Sequence, residues 1–326
     1  MAIDVAIDLG TSRTRILLPQ KGIVTDEPSV ITVHKRSETV VAVGQEAYRM
    51  LGRTPPSLEA VYPLQGGVIA HFDLTEAMLD TMLKKVVSSR IRMPRMAVCV
   101  PSRMTDVEKR AVVQVVSGMG VRQVQTVEAP LAAAKGDGVN ISRSHGVLVV
   151  DVGGGTTDMA VISLNGTAVS RSTKYAGRTM DDAILQYIRQ QHHLLIGQRT
   201  AESLKHRIGC VQAGVCDESC TVRGKSLLTG LPSEVVVRSD ELVEPLQSTA
   251  AAILKCLRDL LEATPPELMA DIHTDGLLLT GGAARIGGLA ALLRQSTGLS
   301  VRLSDEPELC TIWGLKRRRK TQRLNE

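Results

Sequence analysis

The feature that most constrains this chain is a turn that occurs twice. Residues 2–16 read Ala-Ile-Asp-Val-Ala-Ile-Asp8-Leu-Gly10-Thr11-Ser12-Arg13-Thr14-Arg-Ile. Residues 147–163 read Val-Leu-Val-Val-Asp151-Val-Gly153-Gly154-Gly155-Thr156-Thr157-Asp158-Met-Ala-Val-Ile-Ser. In both, an apolar run of strand length ends in a carboxylate, and glycine and hydroxyl residues precede a second strand. Asp8-Leu-Gly-x-x-x-Thr14 returns as Asp151-Val-Gly-x-x-x-Thr157. Two related lobes follow from that repeat, each presenting a hairpin tip to a shared cleft. Asn165-Gly166 offers a type I′ turn into a third strand over residues 167–173.

Glycines at such a tip let bare backbone N–H groups approach phosphate oxygens. The acid beside them cannot bind phosphate, so it implies a divalent cation, held directly or through water. A flexible glycine turn with no ligand is the plainer alternative, and the second copy argues against it.

At 326 residues the chain is long enough for two domains or one bilobed body. One Trp, one Phe and four Tyr leave the core to aliphatic residues and disfavour base stacking, so no specific nucleic acid is expected. No apolar run reaches the ~18 residues of a membrane span. Asp4 and Asp8 near the N-terminus, without a basic n-region, do not read as a signal peptide. The expected location is cytoplasmic, with the six cysteines reduced. Cys210, Cys216 and Cys220, with His206 nearby, match no common zinc spacing and read as ordinary thiols. The net charge of +5 sits at the C-terminus, where residues 316–320 and Arg323 are basic and Glu326 is the one acid. Such a tail is a solvated terminus or an attachment to a polyanionic surface.

Strand and helix patterns alternate along the chain, giving an α/β fold. A helix capped by Asp73 or Thr75 is expected to bury Leu74, Met78, Leu79, Met82, Leu83, Val86 and Val87. Thr105-x-x-Glu108 is a capping box opening a helix with Val107, Ala111, Val112, Val115 and Val116 inward. Pro130 opens a short alanine-rich helix. A helix over residues 200–208 places Glu202 and Lys205 on one face. Residues 276–285 form a buried strand that ends in glycines.

Together these pieces resemble the actin-like superfamily of sugar kinases, heat-shock ATPases and actins, and within it the MreB/Mbl bacterial actins. Matching segments span nearly the whole chain: Ile7-Asp-Leu-Gly-Thr11, Gly22-Ile-Val with Glu27-Pro-Ser-Val30, Val43-Gly-Gln-Glu-Ala47, Met50-Leu-Gly-Arg-Thr-Pro55, Pro63-Leu-Gln-Gly-Gly-Val-Ile-Ala70, Cys99-Val-Pro101, Val150-Asp-Val-Gly-Gly-Gly-Thr-Thr157, Val161-Ile-Ser-Leu-Asn-Gly166 and Leu279-Thr-Gly-Gly282. The resemblance implies a duplicated, ribonuclease H-like α/β fold of two lobes around a nucleotide cleft. Residues 1–30, 67–141 and 308–326 would form the large subdomain of lobe I, and 31–66 its small one. Residues 142–180 and 245–307 would form the large subdomain of lobe II, and 181–244 its small one. ATP with Mg²⁺ would occupy the cleft, Asp8 and Asp151 holding the metal through water. Gly10, Thr11, Ser12, Gly153, Gly154, Gly155 and Thr156 would cradle the phosphates, with Gly177 approaching from the opposite side. Glu202 and Lys205 match the ribose- and adenine-contacting pair, and Gly281, Gly282 and Arg285 the adenosine loop. From the residues alone, Glu202 and Lys205 read as a surface ion pair worth less than ~1 kcal/mol.

The chain departs from the family pattern in places. Val127-Glu128-Ala129-Pro130 has alanine where the family carries the acid that orients the attacking water, leaving Glu128 as the candidate catalytic residue. Loss of such a group costs about 10²–10⁴-fold in rate, so slow hydrolysis is expected unless Glu128 reaches the water. Ala283 replaces a glycine of the adenosine loop, and Arg13 stands where a neutral amide is usual, pointing to solvent or adding a phosphate contact. The loop at residues 90–95 aligns with the family's membrane-inserting loop but offers Ile91 and Met93 as its apolar side chains. The implied function is a filament-forming actin homologue, peripheral on the inner face of the cell membrane. It would assemble head-to-tail with itself, engage membrane proteins of the cell-wall elongation machinery and set cell shape. The alternative is an actin-fold scaffold that binds nucleotide with little cycling. A small-molecule kinase would need a sugar pocket with an acidic base, and a chaperone-type ATPase a peptide-binding domain; neither is visible.

Overall fold

The computed structural model describes residues 3–87 and 93–316. The chain opens with an antiparallel meander, β1 (Val5–Leu9), β2 (Arg13–Leu18) and β3 (Gly22–Pro28). Next, β4 (Ile31–His34), β5 (Val40–Val43), α1 (Gln45–Met50) and β6 (Leu58–Val61) build a small sheet of order β5-β4-β6. A short hairpin, β7 (Leu64–Gln65) and β8 (Val68–Ile69), leads to α2 (Phe72–Val86), β9 (Arg95–Val100), α3 (Asp106–Ser117) and β10 (Gln123–Glu128). Strands β9 and β10 join the meander in parallel, giving the order β10-β9-β1-β2-β3.

Helix α4 (Ala129–Asp137) crosses to the second lobe, which repeats the plan. Strands β11 (Val147–Val152), β12 (Thr157–Ser163) and β13 (Gly166–Thr173) form its meander. Helix α5 (Gly177–Gln191), β14 (Leu194–Leu195), α6 (Gln198–Ile208), β15 (Ser219–Ser226) and β16 (Pro232–Arg238) make the smaller unit around a β14-β15-β16 sheet. Then come α7 (Val243–Glu262), α8 (Pro266–Asp275), β17 (Leu277–Thr280), α9 (Leu289–Thr297) and β18 (Val301–Leu303). The large sheet is ordered β13-β12-β11-β17-β18, with β17 and β18 added in parallel. Reversed, that is the order of the first sheet, with β11 in the place of β1. Helix α10 (Cys310–Lys316) returns to the first lobe.

Each lobe has its own aliphatic core, as the scarcity of aromatics requires. Ile7, Ile16, Val98, Met78 and Leu79 are fully buried in one; Val150, Val161, Met180, Ile184 and Leu279 are fully buried in the other. Each is worth about 1.5–3 kcal/mol of apolar transfer. Between the lobes lies α4, and small residues make that possible. Ala132 packs with Ile312 and Leu315, while Ala133 and Ala134 face Val149 and Ala160 across the divide. A Cβ at Gly314 would overlap the Ala132 carbonyl, so α10 and α4 meet backbone to backbone. This contact anchors the crossover that carries the chain between lobes.

Several local expectations are corrected. The hairpin between β12 and β13 turns on Leu164 (φ 51) and Asn165 (φ 63), one residue earlier than Asn165-Gly166, because Gly166 already pairs with Ser163. The turn's N–H groups donate to the Arg143 and Ile141 carbonyls, which fixes the register from outside the hairpin. Helix α2 starts after His71, without a side-chain cap; Thr75 lies inside it, buried, its hydroxyl donating to the His71 carbonyl. Asp73 sits in its exposed first turn, where it complements the dipole. Val107 is 75% exposed, on the outer face of the first turn of α3. The Thr105–Glu108 box is present in both directions.

Candidate functional site

The two repeated turns face each other at the base of the cleft. In the first, the Gly10 N–H donates to the Arg13 carbonyl at 3.1 Å, and a Cβ on Gly10 would sit 2.7 Å from that oxygen. In the second, the Gly153 N–H donates to the Thr156 carbonyl at 2.9 Å. The tips touch: a Cβ on Gly154 would overlap Ser12 Oγ, and one on Gly155 would overlap Thr11 Oγ1. Thr11 Oγ1 also accepts from the Gly67 N–H at 2.9 Å. Side chains are excluded at Gly154 and Gly155 by the opposite lobe and at Gly153 by the Thr156 carbonyl of its own turn, which is why the sequence keeps three glycines in a row.

Behind the tips stand three carboxylates, Asp151 and Asp158 buried and the Asp8 side chain 14% exposed. Asp8 Oδ2 accepts from Thr311 Oγ1 at 3.0 Å and lies 3.4 Å from the Arg15 guanidinium. Asp151 Oδ1 accepts from Thr280 Oγ1 at 3.2 Å. Asp158, directly opposite Asp151 in the β11–β12 register, accepts from Thr156 Oγ1 at 2.7 Å and from the Ser102 N–H of the other lobe at 2.9 Å. Burial is the main cause that raises all three pKa values, and Asp158 and Asp8 add repulsion at Asp151, which is pushed up to about 7. Asp158 was not singled out from the sequence. Only the β11–β12 register, which sets it opposite Asp151 on the same face, brings it to the site.

Helix α5 docks directly on the second tip. The N–H groups of Gly177 and Arg178 donate to the Gly153 and Gly154 carbonyls at 3.0 and 2.8 Å. A Cβ on Gly177 would meet Ala283 Cβ, Gly153 O and Lys205 Nζ, each at 3.3 Å. Gly281, at φ 93, closes the opposite wall, where a Cβ would lie 2.6 Å from Asp151 Oδ1. Gly282, Glu202 and Lys205 complete a cleft of about 990 Å³ counted to its open mouth.

Glu202 and Lys205 line this cleft but do not pair with each other. Lys205, 7% exposed, is 2.8 Å from Asp181 Oδ1 and donates to the Gly177 carbonyl at 2.9 Å. Burial pushes Asp181 up to about 6 despite that lysine. Glu202 instead accepts from the Tyr48 hydroxyl of the first lobe at 2.5 Å. Beside it, Arg199 donates to the Arg49 carbonyl at 3.1 Å, and Arg178 lies 3.5 Å from the centre of the Tyr62 ring. The Tyr48–Glu202 and Arg199–Arg49 contacts span the cleft mouth between segments about 150 residues apart, and no local pattern announces them.

Other candidates fall elsewhere. Arg285 donates to the Asp305 carbonyl and pairs with Glu308, and it is not among the residues lining the cleft. Glu128 accepts from Thr167 Oγ1 at 3.0 Å on β13, whereas the buried Ala129 lines the cleft. Arg13 does border the cleft, but its side chain is 41% exposed and pairs with Asp26 at 2.7 Å. Cys210 and Cys216 lie side by side at Gly287, and the six cysteines are free thiols. Met93 is 63% exposed with φ 51; Ile91 and the basic residues after Lys316 lie outside the described residues.

The residues fit a magnesium nucleotide. The tips form a cradle that Cβ atoms would fill; Arg15 stands against Asp8, while Asp151 and Asp158 form no ion pair among the described residues and are held above their ordinary pKa, so a divalent cation would supply charge they lack. Among the described residues no three His, Cys, Asp or Glu side chains form a direct metal cage. That agrees with an ion bound through water and phosphate, the habit of Mg²⁺.

With this geometry established, comparison with known proteins is informative. The family model described as "MreB/Mbl protein" matches residues 2–326. The cell shape-determining protein Mbl of Bacillus subtilis is 42% identical over 314 residues, covering 96% of this chain and 94% of its own. The cell shape-determining protein MreB of Escherichia coli is 42% identical over 317 residues, covering 95% and 91%. The crystal structure of MreB5 of Spiroplasma citri bound to ADP superposes with a TM-score of 0.91 at 33% identity, covering 96% of this chain and 94% of that one. The AMPPNP-bound structure of the same protein gives the same TM-score at 34% identity. The fold is therefore the actin-like one, and the chain belongs to the MreB/Mbl family of cell shape-determining actin homologues.

Proposed function

We propose that this chain binds ATP with Mg²⁺ in the cleft and assembles head-to-tail into membrane-associated filaments that organise cell-wall synthesis. The observation that carries the nucleotide reading is the pair of glycine tips meeting across the cleft in front of Asp8, Asp151 and Asp158. The ADP- and AMPPNP-bound states of MreB5 support it. Gly10, Thr11 and Ser12 grip the phosphates from one side and Gly153, Gly154, Gly155 and Thr156 from the other, so binding draws the lobes together. Asp8 and Asp151 would hold the metal through water, and the ion would neutralise phosphate charge. Glu202, Lys205, Gly177, Gly281 and Gly282 border the nucleoside side, and Arg285 supports the adenosine loop through Asp305 and Glu308.

Filament contacts are heterologous and do not close, so cleft closure in one subunit sets the geometry offered to the next. Subdomain limits follow the lobes, with residues 31–66 and 181–244 as the two small units. Met93, together with Ile91, inserts into the inner leaflet. Burial contributes about 1.5–3 kcal/mol per side chain at most, so useful attachment comes from repetition along a polymer. Membrane proteins of the wall-elongation machinery are the partners this location implies.

Hydrolysis is slow in this reading, because Ala129 carries no group to orient water and Glu128 is turned toward Thr167. That favours the second reading, a nucleotide-binding scaffold with little turnover. Calorimetric titration with ATP and concentration-dependent light scattering test both. Saturable ATP binding with ATP-dependent scattering supports the filament, binding without scattering supports the scaffold, and no binding rejects both.

A further inference from the structure

Asp8 has an unusual neighbour. On one face of the first sheet, Cys99, Asp8, Arg15 and Asp26 stand directly opposite one another on four adjacent strands. Arg13, two residues before Arg15 on β2, shares that face and pairs with Asp26 at 2.7 Å. The result is a row of alternating charge, Arg13–Asp26–Arg15–Asp8, running from the surface to the floor of the cleft. Arg15 is its buried cation: its side chain is 10% exposed, Nε lies 3.2 Å from Asp26 Oδ1 and a terminal nitrogen 3.4 Å from Asp8 Oδ2. Its hydrogen bond to Asp8 is long, and Nε has no well-aligned acceptor among the described residues. Arg15 lines the cleft together with Asp8.

A guanidinium stays charged at every accessible pH. Without a resident cation, a polyphosphate entering this cleft meets the carboxylates of Asp8, Asp151 and Asp158, and a divalent ion must offset all three. Here a fixed positive charge already offsets one of them. We propose that Arg15 is a resident counter-charge for Asp8, so that nucleoside di- and triphosphates bind this chain with little dependence on Mg²⁺. The inference rests on the nucleotide reading of the cleft. A plain structural ion pair would leave the magnesium dependence unaltered when Arg15 is replaced.

The test is calorimetric titration of the full chain with ATP, in excess Mg²⁺ and in EDTA. The wild type is expected to bind in EDTA within about tenfold of its Mg²⁺ affinity, which is within about 1.4 kcal/mol. Arg15→Leu is expected to widen that ratio by about tenfold or more, and Arg15→Lys to keep it near the wild-type value. A wild-type ratio of about a hundredfold or more overturns the inference, as does an equal ratio in Arg15→Leu. The wild-type ratio decides the matter even if the leucine variant does not fold. Absence of binding in both buffers overturns the nucleotide reading itself; binding confined to Mg²⁺ overturns this inference alone.

Discussion

Lys205 offers the sharpest quantitative prediction, because its ion pair is buried on both sides. The lysine is 7% exposed and the Asp181 side chain 12%, at 2.8 Å. Lys205→Met removes the charge and keeps most of the apolar stem. Breaking a buried pair from one side costs about 3–5 kcal/mol, because the remaining charge is stranded. Asp181 is already pushed up from 3.8 to about 6 by burial, with Lys205 as the first influence holding it down. Without the lysine its pKa climbs further. The sign follows from linkage: a carboxylate whose folded pKa is raised binds more protons folded than unfolded, so stability falls as pH rises through that window. For the wild type this fall ends near pH 6; for the variant it continues, and the difference grows by about 1.4 kcal/mol per pH unit until the variant's own pKa is passed. Urea unfolding of both proteins at pH 5, 6.5 and 8 measures it. The expected loss is smallest at pH 5 and reaches about 3–5 kcal/mol at pH 8, and Asp181→Asn in the Lys205→Met background recovers most of it. A loss that is equal at all three pH values, or below about 1 kcal/mol, refutes the buried-pair account.

Three further outcomes are expected. Gly155→Ala inserts a methyl group against Thr11 Oγ1 and 3.0 Å from the Gly67 nitrogen, so calorimetry should show ATP affinity falling by about tenfold or more while the fold persists. Thr105→Ala removes the side-chain acceptor for the Glu108 N–H at the start of α3 and should lower unfolding stability by about 1 kcal/mol without changing nucleotide affinity. His145 lies between Asp271 and Asp275, and the hydrogen bond to Asp275 raises its pKa. Its contribution is complete below the ordinary histidine value and lost as pH rises through the raised one, so thermal melts of His145→Gln should show a larger deficit at pH 5.5 than at pH 8.

What could be read in advance was whatever short-range chemistry encodes. The acid–glycine–hydroxyl tips, the Thr105 box and the short alanine-rich helix at Pro130 each reside in fewer than a dozen residues, and each is present. The duplication of the lobes was legible for the same reason, since it repeats a local pattern. What was missed depends on partners brought together by the fold. Lys205 was paired on paper with Glu202, three residues away on one helix; in the structure Lys205 turns inward to Asp181 and Glu202 outward to Tyr48, 154 residues away. Asp158 needed the register of β11 and β12, and the Leu164–Asn165 turn needed the carbonyls of Ile141 and Arg143. Val107 satisfies a helical apolar pattern yet faces solvent, the buried face of α3 being carried by Val112, Val115 and Val116.

The central claim is that two hairpin tips from different lobes grip one nucleotide together. Amide hydrogen exchange of the full chain, with and without ATP and Mg²⁺, measures this at both tips at once. The account predicts added protection at residues 10–14 and at residues 153–157, appearing at the same ligand concentration. Protection of one tip alone, or of neither while ATP is bound, would contradict it.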